Sequence, residues 1–98
     1  MKGLSFQEFY DCLYYGADID LLYNLSFFHI SAGSIGEKHG ITVYKYDKNP
    51  DQISNFCTEI YDAVTSKVSE SVENFLQAKI FDGKSIYDIQ NELEILYS

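Results

Sequence analysis

Fifteen Asp and Glu against seven Lys and no Arg give this 98-residue chain a net charge of −8, and its length suits one compact domain, residues 1–98. A field of that sign repels phosphates, so the chain is poorly suited to bind nucleic acid directly and better suited to a basic protein partner. Hydrophobic residues at 46% exclude a disordered acidic tail, and no stretch approaches the ~20 apolar residues of a membrane span.

The charge is unevenly spread: residues 1–49 hold six acids and four Lys, net −2, whereas residues 50–98 hold nine acids and three Lys, net −6. Nine Tyr and seven Phe with no Trp are a heavy aromatic load. Part of it is expected in the core and part at the surface, where Tyr serves as an interface anchor.

Phe6, Phe9, Tyr10 and Leu13 fall at helical spacing, with Ser5 placed to cap, Glu8 in the first turn and Gly16 placed to stop, which predicts a helix over 5–15. Residues 18–31 change to a strand period: Ile19, Leu21 and Tyr23 alternate with Asp18, Asp20 and Leu22, and Ser26–Ser31 reads as the returning strand. Asn24 is the turn residue, but Leu25 stands where a two-residue turn prefers Gly. That leaves a wider turn or one longer, bent strand. Gly33, Gly36 and Gly40 punctuate an expected polar loop, and Ile41–Tyr46 supplies a third antiparallel strand. Asp47–Pro50 reads as a turn that starts the next helix. Ile53, Phe56, Cys57, Ile60, Tyr61 and Val64 match the helical template and predict a helix over 51–66. A further helix is expected over about 69–79, burying Val72, Phe75 and Leu76. Asp82-Gly83 breaks it, and Ser85 caps a last helix through Tyr97 with Ile86, Ile89, Leu93 and Leu96 inward. The expected architecture is α+β: an N-terminal helix, a small antiparallel three-stranded sheet, and C-terminal helices packed on one face.

Two segments carry a resemblance. Leu4-Ser5-Phe6-Gln7-Glu8-Phe9-Tyr10 through Gly16, followed by Asp18-Ile19-Asp20 and Tyr23-Asn24, resembles the opening of small uncharacterised proteins of low-GC Gram-positive bacteria and their phages. The tail, Phe75-Leu76 through Ile80–Ile89, is similar to their ending. The likeness covers residues 4–46 and 68–97 in pattern, departs at Leu25, and leaves 48–66 as added material. It implies a compact α+β fold and no activity. Ten Ile, five Asn and one Pro with no Arg agree with the same AT-rich origin.

No catalytic or metal constellation is evident. His29, His39, Cys12 and Cys57 lack metal-ligand spacing, and ordinary structural roles outweigh a zinc site or a Cys–His nucleophile. Without a signal-like run after Met1-Lys2, two free thiols in a cytoplasmic protein are expected. Asp18/Asp20 and Asp88/Glu92 share faces, but solvated carboxylates have no poised proton. Ser31–Gly36 lacks the Lys-Ser/Thr ending of a phosphate loop and reads as a flexible connection; Gly83-Lys84-Ser85 reads as a helix start.

What stands out is the paired acids, expected on helical faces: Glu59 and Asp62, Glu70 and Glu73, Asp88 and Glu92. With Tyr61 or Tyr87 as aromatic anchor, these residues are the expected partner surface. They suggest a non-enzymatic inhibitor that occludes a basic surface of a nuclease or other nucleic-acid-processing protein. Such a nucleic-acid mimic would be either a phage anti-defence protein of the anti-CRISPR kind or a toxin-immunity protein, and it would need no cofactor. The alternative is a housekeeping protein-interaction or small-ligand module whose acidity serves solubility alone.

Overall fold

The computed structural model describes residues 1–46 and 57–97. Its first helix, α1 (Phe6–Tyr15), is set by the residues that predict it. The Ser5 hydroxyl accepts from the Glu8 backbone N–H (3.1 Å) and the Glu8 carboxylate accepts from the Ser5 N–H (3.2 Å), a reciprocal capping box. Gly16, at φ +85°, ends the helix with its N–H bonded to the Cys12 carbonyl.

The chain then forms a hairpin of β1 (Asp18–Tyr23) and β2 (Ser26–Ile35). The two-residue turn does form, with Asn24 at φ +50° and Leu25 at φ +65°. Positive φ at both central positions is the type I′ pattern, so Leu25 holds a conformation that Gly would adopt freely. β2 does not stop at Ser31. It continues through Ile35, and the turn at Gly36-Glu37 leads straight into β3 (Lys38–Tyr46). The glycine-punctuated loop expected here is therefore a hairpin. Gly33 and Gly40 face each other across it, and Gly36 at φ +63° supplies the left-handed turn position.

Two expected helices are corrected. Residues 57–65 form β4 (Cys57–Thr65), antiparallel to β3. The segment holds Thr58, Ile60, Tyr61, Val64 and Thr65, and these β-branched and aromatic residues next to an unpaired β3 edge outweigh the 3.6-residue stripe. The turn at Asp47–Pro50, Lys48, and the first part of the 51–66 helix, including Ile53 and Phe56, lie outside the described residues. Beyond α2 (Val68–Gln77), the 85–97 helix is only α3 (Ile86–Ile89) and a 3-10 turn over Gln90–Glu92, followed by strand β5 (Glu94–Tyr97). Ser85 does cap α3. The helix yields because Leu21 and Leu22 of β1 pair with Ile95 and Glu94, while Ile95 N–H bonds the Lys2 carbonyl and Lys2 N–H the Leu93 carbonyl (both 2.8 Å). Sheet pairing on both sides outweighs continuing a helix that carries no cation in its last turn.

The result is an α+β fold whose antiparallel sheet has five strands in the order β4-β3-β2-β1-β5, in place of the three expected. Inward side chains Ile19, Leu21, Phe28, Ile30, Ile41 and Val43 meet Phe9 and Leu13 of α1 and Val72, Phe75 and Leu76 of α2, all essentially inaccessible. Phe28, Phe75 and Phe81 pack edge to face, with centroids 5.0 and 6.3 Å apart. Within this layer His39, expected in a loop, is buried and stitches three elements together. Its Nε2 donates to the Leu13 carbonyl at the end of α1 (2.9 Å), and its Nδ1 meets the Ser71 hydroxyl on α2 (2.8 Å). Helices α1 and α2 thus cover one face of the sheet. Among the described residues no helix covers the other.

Candidate functional site

The open face is built by strand alternation and register. On β1 the alternate residues to the buried set are Asp18, Asp20 and Leu22; on β2 they are Phe27, His29, Ser31, Gly33 and Ile35; on β3 they are Gly40, Thr42, Tyr44 and Tyr46. Cross-strand pairing sorts them into rows. Asp18, Ser31, Thr42 and Asp62 lie side by side in one; Asp20, His29, Tyr44 and Glu59 in the next.

Glu59 and Asp62 are three residues apart and would fall on opposite faces of a regular strand. A bulge brings them together. Val43 faces Tyr61 while Tyr44 faces Glu59, so Ile60 is an extra residue that reverses the alternation. The sequence pairs these two acids correctly, but through helical spacing that the chain does not adopt here.

Neighbouring strands lie ~4.8 Å apart, so the β1 and β4 carboxylates form two rails ~14 Å apart, with ~7 Å between the two rows along each strand. Between the rails lies a polar floor of His29, Ser31, Thr42 and Tyr44. His29 Nδ1 donates to the Asp20 carboxylate, and Thr42 Oγ1 donates to Asp62 at 3.1 Å. No Lys stands among these eight positions. Lys38 is opposite Ile35 at the hairpin end, Lys2 is paired with Glu94 at 3.5 Å, and Lys45 lies over the Phe28 ring.

The other expected site residues are not part of this face. Tyr61 points to the helical side, its ring 5.6 Å from Phe75, and burial pushes its hydroxyl pKa up. Glu70 is exposed in the first turn of α2. Glu73 is committed to structure: its carboxylate accepts from the Tyr87 hydroxyl (2.8 Å) and from the Gln77 amide (2.8 Å). Tyr87 stacks on Phe6 at 5.7 Å, and partial burial, then the Glu73 hydrogen bond and charge, push its hydroxyl up to about 12. Asp88 closes the α3 capping box, and the hydrogen bonds from Ser85 hold its carboxyl below the usual range. Glu92 is exposed in the 3-10 turn. Sequence reasoning placed Asp18 and Asp20 on a common strand face. It missed their alignment with Glu59 and Asp62, which depends on a sheet order that periodicity does not encode.

Cys12 and Cys57 are free, and burial raises the Cys12 thiol. Among the described residues no three His, Cys, Asp or Glu converge to hold a metal ion, and no helix is long and apolar enough to cross a membrane. No family model, curated protein or solved structure matches the chain.

Proposed function

We propose that this protein is a non-enzymatic, cytoplasmic binding protein whose open sheet face occludes a basic surface of a protein that handles nucleic acid. One observation carries the reading: β1 and β4, separated by two strands, bring Asp18, Asp20, Glu59 and Asp62 into a rectangle of carboxylates with no Lys within it. Two anionic rails ~14 Å apart approximate the width of a duplex major groove, about 12 Å between its phosphate walls. A surface evolved to grip phosphates offers Lys and Arg at that span, and complementary fields speed encounter and set orientation. Anti-defence and toxin-immunity roles both fit this chemistry.

The test is retention of basic proteins from a lysate of a low-GC Gram-positive host on the immobilised protein, followed by elution with duplex DNA. Wild type should retain a protein that DNA displaces. The triple variant Asp20→Lys, Glu59→Lys, Asp62→Lys should lose it, while Glu70→Lys with Glu92→Lys should keep it. Equal retention by the triple variant refutes the reading, as does a retained protein that DNA cannot displace.

A further inference from the structure

Next to the Asp18–Asp62 row the open face is indented. Gly33 and Gly40 are paired across β2 and β3; the space a Gly33 side chain would fill is open, whereas Ile35 reaches over Gly40, and a depression of about 240 Å³ remains, lined by Ser31, Ala32, Gly33, Ser34, Ile35, Gly40 and Thr42. A drug-sized ligand needs ~300–1,000 Å³, so this hollow suits a single side chain. Its two ends differ. Ile35 lies across Gly40, so that a Cβ built on Gly40 would sit 2.8 Å from Ile35 Cδ1 and 3.4 Å from Val64 Cγ2. Both residues are about half exposed, at 58% and 48%. The opposite end holds Ser31 and Thr42, and just beyond the lining the Asp62 carboxylate accepts from the Thr42 hydroxyl.

We propose that this depression is a receptor for one arginine side chain of the partner protein. The proposal rests on the reading of the open face as the partner surface and names the group that seats in it. An aliphatic stem would pack on Ile35 and Val64, while the guanidinium reaches the Asp62–Thr42 end. Lys38, opposite Ile35, repels a cation at the apolar end and fixes that orientation. Arg fits better than Lys because its planar fork donates to several fixed acceptors at once, here a carboxylate and two hydroxyl oxygens.

Gly33 provides a clean test. A Cβ built there meets nothing within 4 Å and its φ is not in the left-handed region, so Gly33→Val fills the hollow with a residue that strands favour. The probes are N-acetyl-arginine amide, the isosteric neutral N-acetyl-citrulline amide and N-acetyl-lysine amide, titrated into the ¹⁵N-labelled protein. Arginine amide should give saturable amide shifts confined to 31–35 and 40–42, with affinity in the roughly millimolar range of a small fragment. Citrulline amide should bind about tenfold more weakly, as expected for losing a charge-assisted hydrogen bond, and lysine amide should also bind more weakly. Gly33→Val should abolish the shifts, and Thr42→Val, which removes one hydroxyl at constant shape, should weaken them several-fold, roughly the share of one hydrogen bond. Equal binding of citrulline or lysine amide, undiminished binding to Gly33→Val, or no shifts in wild type overturns the arginine receptor. If DNA-displaceable retention still depends on Asp20, Glu59 and Asp62 in that event, the partner face stands and only the seated group is wrong.

Discussion

Among the described residues at positive φ other than Gly, Leu25 is the one that is neither Asn nor Asp, and replacing it with Gly tests whether the turn is as described. It sits at φ +65° at the second central position of a two-residue hairpin and is 93% exposed. A left-handed conformation costs an L-residue about 1–2 kcal/mol. Gly removes that cost but gives the unfolded chain extra freedom, which returns about 0.4–1 kcal/mol. Hardly any burial is lost, because almost none is present. The net expectation for Leu25→Gly is a gain of about 0.5–1 kcal/mol. For a domain of this size that is a rise in Tm of roughly 2–8 °C. Asn24 should remain in place, since its side-chain amide donates to Asp82 Oδ2 at 3.2 Å. Urea unfolding followed by circular dichroism gives the free energy directly, and an unchanged slope shows that the two-state transition is preserved. A destabilised or unaltered variant refutes the strain argument, because it would mean that Leu25 makes contacts this geometry does not contain.

Two other substitutions probe the covered side. His39→Leu should cost about 2–6 kcal/mol in the same urea assay, because it strands the buried Leu13 carbonyl and Ser71 hydroxyl at about 1–3 kcal/mol per orphaned group. Tyr87→Phe should cost about 1 kcal/mol or less at neutral pH, since Tyr87 is 40% exposed and its bond to Glu73 is screened. The Tyr87 hydroxyl is raised in the folded state, so its contribution is intact below pH 10 and is lost as pH climbs through about 12. Wild type should therefore lose stability over that alkaline window, and the Phe variant should lose less.

What the sequence made legible was local. Ser5 with Glu8 fixes the start of α1 and Gly16 its end; Val72, Phe75 and Leu76 fix the inward stripe of α2; Ser85 fixes the start of α3. Each of these depends on residues within a few positions of one another. β4 and β5 were not legible because their identity is decided by neighbours distant in sequence: β3 for Cys57–Thr65, and β1 with Lys2 for Glu94–Tyr97. Ile53, Phe56, Cys57, Ile60, Tyr61 and Val64 fit a helical stripe on paper, yet the strand needs only that Tyr61 and Ala63 face inward and that Ile60 be absorbed in a bulge. The candidate site suffered the same way. Its acids could be seen individually, but which of them share a surface depends on strand order and on one inserted residue.

The division of labour between the two sides of the sheet explains how so acidic a chain tolerates its charge. Among the described residues the fully buried large side chains lie on the side that α1 and α2 cover, where Glu73 and Asp88 are tied into hydrogen bonds with Tyr87 and Ser85. The carboxylates on the open side have no such structural duty beyond single bonds to His29 and Thr42. Across the sheet, at ~14 Å and with a Debye length of ~8 Å at physiological salt, their mutual repulsion is largely screened; along each strand, at ~7 Å, the high dielectric of water keeps it below about 1 kcal/mol. Against the basic partner proposed above, the same four charges would be desolvated together and act in concert. On the proposed reading, recognition and stability reside on opposite faces of one sheet, and substitutions on the open face should change binding while the core beneath α1 and α2 keeps its packing.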